Sequence, residues 1–118
     1  MPPYSIIIPM YNAKHSIERA LRSIISNASA DAEIIIVDDA STDGSLEHVS
    51  AYDVQVIRHE QNRGPSAARN TGVRMATSDL LLFIDSDVEI QPRSLQAMIS
   101  SLEKNPEILG VNGTTSMT

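Results

Sequence analysis

One apolar run in this chain ends abruptly in two carboxylates, and that pattern favours a particular class of fold. Residues 80–87 read Leu-Leu-Leu-Phe-Ile-Asp-Ser-Asp. Five consecutive apolar residues are typical of a strand that is buried on both faces, as in a parallel sheet covered by helices. Asp85 and Asp87 would then leave the carboxyl end of that strand, which is where open α/β sheets bind ligands.

The close spacing of the two acids is compatible with a cation site or with a turn. Carboxylates held near each other repel and lose hydration, so a bound divalent cation is the simplest reason to keep Asp85 and Asp87 together. The alternative is that both acids form a turn or cap before the helix that we expect to begin near Pro92.

Further apolar runs predict the rest of the sheet. Glu33 to Asp39 reads Glu-Ile-Ile-Ile-Val-Asp-Asp and predicts a second buried strand that ends in acids. Ser5 to Met10 contains three consecutive isoleucines and predicts the first strand, whose regular pairing we expect Pro9 to end. Outer strands are predicted over Val54–His59 and Ile108–Val111.

Segments with helical spacing lie between these strands. Apolar residues recur on one helical face over residues 17–25, and a short helix is predicted over 46–52. Pro65 suits the first turn of a third helix, which would run to about Ala76, and a fourth apolar stripe follows Pro92. Strands that alternate with helices predict a mainly parallel sheet in a three-layer α/β/α domain.

Composition limits the classes of function. The chain has 118 residues, which fits a single domain over residues 1–118. A net charge of −6 argues against sequence-independent binding of nucleic acid, and the lack of cysteine excludes disulfides and thiolate metal sites. The sequence contains neither a signal-peptide pattern nor a segment long enough to span a bilayer, so a cytoplasmic location is expected.

Polar side chains follow the predicted strands at what should be one edge of the sheet. The three strand ends read Pro9-Met-Tyr-Asn, Asp38-Asp-Ala-Ser and Asp85-Ser-Asp. In a parallel sheet these ends line a single crevice. There a carboxylate can accept an N–H hydrogen bond from a nucleobase, a tyrosine ring can stack on the base, and a cation can neutralise a diphosphate. Arg69 is expected to reach the same edge and pair with phosphate or carboxylate.

Four ordered motifs in this sequence resemble those of family 2 glycosyltransferases. They begin at Ser5 (Ser-Ile-Ile-Ile-Pro-Met-Tyr-Asn), Ile36 (Ile-Val-Asp-Asp-Ala-Ser-Thr-Asp), Asn62 (Asn-Arg-Gly-Pro-Ser-Ala-Ala-Arg-Asn-Thr-Gly) and Phe83 (Phe-Ile-Asp-Ser-Asp). The resemblance implies an A-type glycosyltransferase fold, a nucleotide-diphosphate sugar donor with a UDP-sugar favoured, and a Mg²⁺ or Mn²⁺ ion. It implies metal-dependent transfer of the sugar to an acceptor hydroxyl with inversion.

The resemblance also implies roles for individual residues in binding the donor. Tyr11 would stack on the base, and Pro9 would present its carbonyl to the base edge. Asp39 would hydrogen-bond the base while Asp38 shapes the same loop. The remaining residues would serve the phosphate end of the donor: Arg69 near the base or diphosphate, Asp85 near the ribose or metal, and Asp87 as a direct metal ligand.

Each role has a structural alternative. Tyr11 could cap the first strand by packing on the neighbouring helix, and Asp38 could tie down the turn over residues 41–44. Arg69 could form an ion pair with an acid at a strand end. Two glycines, Gly64 and Gly72, are expected to serve backbone geometry and close helix packing. The histidines lack metal-ligand spacing, so we interpret them as surface or packing residues: His15, His48 and His59.

In this family a further half of the fold follows the metal motif, and we do not expect this chain to include it. The general base and the acceptor site would come from that half, so we assign no general base here. We expect a donor-binding part of a longer glycosyltransferase that transfers little or no sugar alone. The acceptor would be a sugar or a lipid-linked sugar, and the longer parent could be associated with a membrane. An uncovered sheet face would favour a homodimer.

Two other functions were compared with this one. A phosphoacceptor receiver domain has similar length, acidity and α/β alternation. However, it places its acid pair after the first strand and a lysine after the fifth, and neither feature is present. A nucleotidyltransferase would need a glycine-rich basic loop after the first strand, where this chain has Tyr11-Asn-Ala-Lys.

Overall fold

The apolar runs form a parallel β-sheet. The computed structural model describes residues 2–104 and 112–113. Within them the strands have the spatial order β3-β2-β1-β4-β5, and every neighbouring pair is parallel. The strands are β1 (Ser5–Met10), β2 (Glu33–Asp38), β3 (Gln55–Arg58), β4 (Leu81–Ile84) and β5 (Asn112–Gly113).

Helices cover both faces of the sheet, which confirms the predicted three-layer α/β/α architecture. They are α1 (Ile17–Asn27), α2 (Ser45–Val49), α3 (Pro65–Met75) and α4 (Ser94–Lys104). The main core joins α1, α2 and α4 to one face through aliphatic side chains such as Ile6, Ile8 and Leu21. A smaller cluster of Ile35, Val37 and Ala68 joins α3 to the opposite face. No helix among residues 2–104 is long and apolar enough to cross a bilayer.

The predicted boundaries differ from the observed ones by one or a few residues at several places, most clearly at α2 and β2. The short helix α2 ends at Val49 instead of residue 52, where the hydroxyl of Ser50 donates to the carbonyl of Glu47 at 2.8 Å. Strand β2 ends one residue early because Ala40 turns the chain with φ = 65°. The strand predicted over residues 108–111 lies outside the described residues, and the two-residue β5 follows at 112–113.

Strand β4 is buried on one face only, contrary to the expectation of two buried faces. Leu82 and Ile84 are fully buried against the main core. Leu81 and Phe83 point to the face that carries α3 and are half-buried. That face is less covered at β4 because α3 packs chiefly on β1 and β2. Self-association through such a face stays a prediction.

Pro9 opens the sheet between β1 and β4. The N–H of Ser5 donates to Leu80 on the β4 side, and the carbonyl of Met10 accepts from the N–H of Asp39 on the β2 side. Backbone groups alternate sides along a strand, so Pro9 faces β4, where it has no N–H to donate. The β1–β4 register stops at Ile7, while the β1–β2 register continues through Met10. Pro9 thus ends pairing on one side only.

The chain order places a crevice at this opening. The first three strands run outward in the order β1, β2, β3, and α3 then carries the chain back across the sheet to β4 on the other side of β1. The carboxyl ends of β1 and β4 therefore flank the topological switch point, the position where open α/β sheets bind ligands.

Gly72 permits the close approach of α3 to the sheet, so we expect Gly72→Ala to destabilise the fold. A methyl group there would lie 2.4 Å from Cγ2 of Ile7, which is fully buried. Overpacking of about 1–3 kcal/mol should exceed the gain in helix propensity of about 1 kcal/mol. Urea unfolding should therefore give a lower free energy of unfolding for the variant. In an Ile7→Ala background the same substitution should cost little, and a stabilising Gly72→Ala in the native background would contradict the packing argument.

Ala40 adopts a left-handed conformation that disfavours side chains, so Ala40→Gly should stabilise the protein. Its φ is 65° in the turn that follows β2. Relief of the Cβ clash should raise the free energy of unfolding by about 0.5–1 kcal/mol, after allowance for the greater freedom of glycine in the unfolded chain. Ala30 is an exposed alanine outside the set of residues with positive φ. Ala30→Gly is the control and should lower stability, so equal signs for the two substitutions would contradict this interpretation.

Candidate functional site

A cleft of about 630 Å³ lies at the carboxyl ends of β1, β2 and β4. It gathers every candidate residue predicted from the sequence except Asp38. The predicted residues in its lining are Pro9, Tyr11, Asp39, Arg69, Asp85 and Asp87. Segments separated by up to about eighty residues of sequence therefore meet at one edge of the sheet, as the parallel topology requires.

The loop that carries Tyr11 is fixed by hydrogen bonds to the loop after β2. The side-chain amide oxygen of Asn12 accepts the N–H of Thr42 at 2.8 Å, and the N–H of Asn12 donates to the hydroxyl of Ser41 at 2.9 Å. The N–H of Ala13 donates to Ser45 Oγ at 2.8 Å. Tyr11 itself keeps 49% of its surface exposed at the cleft, so its ring is free to stack on a planar ligand.

Asp39 is the most constrained carboxylate of the cleft, with 2% of its surface exposed. Its Oδ1 accepts the N–H of Arg63 at 2.8 Å and lies 2.8 Å from Nδ1 of His59. Its Oδ2 accepts the N–H of Gly64 at 2.8 Å. Burial acts to raise the pKa of this carboxyl, but the hydrogen bonds from His59, Arg63 and Gly64 outweigh it and hold the pKa below its usual value. The carboxylate is therefore charged at neutral pH.

His59 is a buried hydrogen-bonded residue that the sequence analysis did not single out. Its Nε2 lies 2.8 Å from Oγ1 of Thr71 on α3, so both ring nitrogens have partners. The available signal was its position, because His59 directly follows β3 at the carboxyl edge that the other candidates share. The lack of metal-ligand spacing predicts only a surface or packing role for the three histidines and gives no sign of these hydrogen bonds.

Asp38 lies outside the lining of the cleft. It is fully buried, and its Oδ1 accepts the N–H of Ser41 at 3.2 Å. Its Oδ2 lies 3.6 Å from Nε of Arg58, which is an electrostatic contact longer than a hydrogen bond. These contacts hold the turn after β2, in line with the structural alternative considered for this residue.

Asp85, the first of the two acids after β4, faces Arg69 across the cleft. Asp85 Oδ1 lies 4.0 Å from Nη2 of Arg69, and both side chains are partly exposed. The turn between the acids is anchored because Ser16 Oγ donates to the carbonyl of Ser86 at 3.2 Å. Arg69 was predicted either to bind the donor or to form an ion pair with a strand-end acid. Its position is compatible with both, since it lines the cleft and also approaches Asp85.

The acids offer an incomplete site for a hard divalent cation. No group of three or more His, Cys, Asp or Glu side chains able to hold a metal occurs among the residues that the structure describes. Asp85 and Asp87 supply only oxygen ligands, which suits Mg²⁺ or Mn²⁺. Mg²⁺ is commonly held by one or two carboxylates together with substrate phosphates and water, so this donor set fits such an ion when a diphosphate is present.

Several characterised and uncharacterised glycosyltransferases are similar to this chain in sequence. An uncharacterized glycosyltransferase of Haemophilus influenzae is 38% identical over 105 residues, which cover 88% of this chain and 36% of that protein. A poly(ribitol-phosphate) beta-glucosyltransferase of Bacillus spizizenii is 35% identical over 123 residues, covering 92% of this chain and 19% of that protein. The chain therefore spans about a third or less of the length of these relatives.

Solved structures share the fold over most of this chain. The structure of Staphylococcus aureus TarS 1–349 in complex with UDP-GlcNAc matches with a TM-score of 0.78 and 30% identity, covering 90% of this chain and 32% of that one. The mannosyltransferase PcManGT of Pyrobaculum calidifontis, in complex with GDP-Man and Mn²⁺, matches with a TM-score of 0.79 and 27% identity, covering 86% of this chain and 32% of that one. The expected A-type glycosyltransferase fold is confirmed.

A comparison of this chain with a family model agrees with the sequence motifs and with the geometry of the cleft. Residues 5–116, which are nearly the entire chain, match the sequence model of glycosyl transferase family 2. The matched span includes both strand ends that carry acids and the whole of α3. The chain belongs to glycosyl transferase family 2.

Proposed function

We propose that this chain is the donor-binding part of a metal-dependent, inverting glycosyltransferase that uses a UDP-sugar. The observation that carries the proposal is the convergence of Tyr11, Asp39, Arg69, Asp85 and Asp87 on one cleft at the switch point of the sheet. An aromatic ring and a carboxylate at one end suit a nucleobase, and a cation and acids at the other end suit a diphosphate.

The base end of the cleft favours uracil. An ionised carboxylate has about four lone-pair positions. In Asp39 three are taken by His59, Arg63 and Gly64, which leaves one on Oδ2. A single acceptor matches the single imide N–H of uracil, whereas guanine presents adjacent N–H donors that need two acceptors. Tyr11 would stack on the ring, and the carbonyl of Pro9 would meet its edge.

The phosphate end is assigned to the acids after β4 and to Arg69. Asp87 would bind the cation directly, and Asp85 would contact either the cation or the ribose. When bound, the cation offsets the negative charge of the nucleoside diphosphate and so makes it a better leaving group. Arg69 lies within reach of the same end and adds a second positive charge. Asp38 would contribute indirectly, by holding the turn that positions Asp39.

Transfer with inversion needs groups beyond the donor site. The acceptor hydroxyl attacks the anomeric carbon on the face opposite the leaving diphosphate, and a general base takes the hydroxyl proton. We assign no residue of this chain to that base, and its acceptor, a sugar or lipid-linked sugar, would bind outside the cleft described here. We therefore expect the chain by itself to bind donor and to transfer little or no sugar.

Metal-dependent binding of UDP should depend on Asp87. Calorimetric titration of the native chain should show that Mn²⁺ strengthens UDP binding by about tenfold or more, because Asp87 would hold the ion and the ion would offset the charge of the diphosphate. In Asp87→Asn, which keeps the shape and removes the charge, Mn²⁺ should have little effect. Asp79→Asn is the control, since Asp79 is an exposed acid at the opposite end of β4 and should respond to Mn²⁺ like the native chain.

Two results would count against different parts of this proposal. Equal affinity for UDP and GDP would contradict the assignment of uracil while leaving the nucleotide site intact. Failure of UDP, GDP and dTDP to bind in the presence of Mn²⁺ or Mg²⁺ would contradict the donor-binding function as a whole.

A further inference from the structure

His59 connects the end of β3 to the acid that is proposed to contact the base. Its N–H donates to the carbonyl of Asp38 at 2.8 Å, which continues the pairing of β3 with β2 by one residue. His59 has 7% of its surface exposed. Its ring lies between Asp39 and Thr71, with Nδ1 2.8 Å from Oδ1 of Asp39 and Nε2 2.8 Å from Oγ1 of Thr71. A buried imidazole with both nitrogens occupied has little freedom to rotate.

The partners of the ring fix the position of its proton. An ionised Asp39 can only accept, so Nδ1 of His59 must carry a hydrogen. The Nη2 of Arg74 donates to Oγ1 of Thr71 at 3.2 Å, which leaves the Thr71 hydroxyl hydrogen available for Nε2. The network therefore connects Arg74 through Thr71 and His59 to Asp39, with a hydrogen on Nδ1 of the ring.

The same contact determines which part of Asp39 is open to a ligand. His59 and the N–H of Arg63 both approach Oδ1, so they fill that oxygen and fix the carboxylate plane. Gly64 takes one position on Oδ2, and the remaining lone pair belongs to Oδ2. Without the imidazole, Oδ1 would regain an accepting position, and only the N–H groups of Arg63 and Gly64 would hold the carboxylate.

A nucleophilic role for this network is excluded by its surroundings. The order aspartate, histidine, hydroxyl has the connectivity of a hydrolytic triad. However, Thr71 lies in the interior of α3, has 8% of its surface exposed and is absent from the lining of the cleft. Its hydroxyl oxygen already accepts from Arg74. A substrate carbon or phosphorus has no approach to that oxygen, so the network serves to hold Asp39.

We propose that His59 is a positioning residue for recognition of the donor base, which fixes the Asp39 carboxylate so that a single Oδ2 lone pair faces the imide N–H of uracil. This inference rests on the proposed function. It assigns selectivity for the base to a residue that does not itself line the cleft. Thr71 supports the ring from α3 and is the outer member of the same network.

The test compares UDP with 3-methyl-UDP, whose base lacks the imide hydrogen, in calorimetric titrations with Mn²⁺. The native chain should prefer UDP by about tenfold, the value expected for one hydrogen bond to a charged acceptor. His59→Leu should lose about tenfold in UDP affinity with no change for 3-methyl-UDP. His59→Asn should keep the preference to within about threefold, because its amide nitrogen occupies the place of Nδ1. His48→Leu is the matched control and should behave as the native chain, because His48 lies on α2 and outside the lining of the cleft.

The outcomes separate this inference from the function on which it rests. If the native chain binds neither ligand, the proposed function fails and the inference fails with it. The other case is that the native chain prefers UDP but His59→Leu keeps that preference, or weakens the binding of both ligands equally. Only the inference is then overturned.

A measurement on the native chain covers the case in which His59→Leu does not fold. ¹⁵N NMR of the imidazole should show a hydrogen on Nδ1, and its nitrogen shifts should change with UDP and not with 3-methyl-UDP. A ring protonated only on Nε2, or equal responses to both ligands, would overturn the proposal. Thr71→Val, which removes the hydroxyl at similar volume, should weaken the UDP preference in the same direction as His59→Leu.

Discussion

The carboxylate of Asp39 is the interaction on which the geometry of the cleft depends. It joins the end of β2 to the end of β3 through His59, and to the start of α3 through the N–H groups of Arg63 and Gly64. Removal of this charge from water is costly, and these hydrogen bonds offset the cost. Because α3 carries Arg69 and packs on β1, the position of one acid also affects the opposite wall of the cleft. A residue proposed to recognise the ligand thereby also assembles the site.

Much of the fold was predictable because the signals were local. Isoleucine-rich runs predicted β1 and β2, and Pro65 predicted the start of α3. Parallel pairing then determined that the strand ends share an edge, so the positions of Tyr11, Asp39 and Asp87 followed from topology alone. The half-buried state of β4 did not follow, because burial depends on where α3 lies across the sheet. A run of apolar residues does not contain that information.

The internal connections of the site were beyond sequence reasoning. Asp38 and Asp39 are adjacent and chemically identical, yet Asp38 is buried at the end of β2 outside the cleft and Asp39 lines the cleft. Alternation along a strand predicts that they face different ways, but not which of them meets His59. The role of His59 required two hydrogen bonds that join residues twelve and twenty positions away. The spacing of metal ligands in a sequence does not reveal His59, because its partners are a carboxylate and a hydroxyl rather than a metal ion.

The one-sided end of pairing at Pro9 leaves backbone polar groups of β1 exposed beside the side chains of the cleft. Beyond Ile7 the peptide groups of β1 that face β4 are outside the ladder, while those that face β2 remain within it. A ligand seated in this fork meets carbonyls whose presence is independent of side-chain identity. The side chains around the fork can therefore be exchanged without loss of its backbone polar groups, whereas a contact made by a side chain is lost when that residue is replaced.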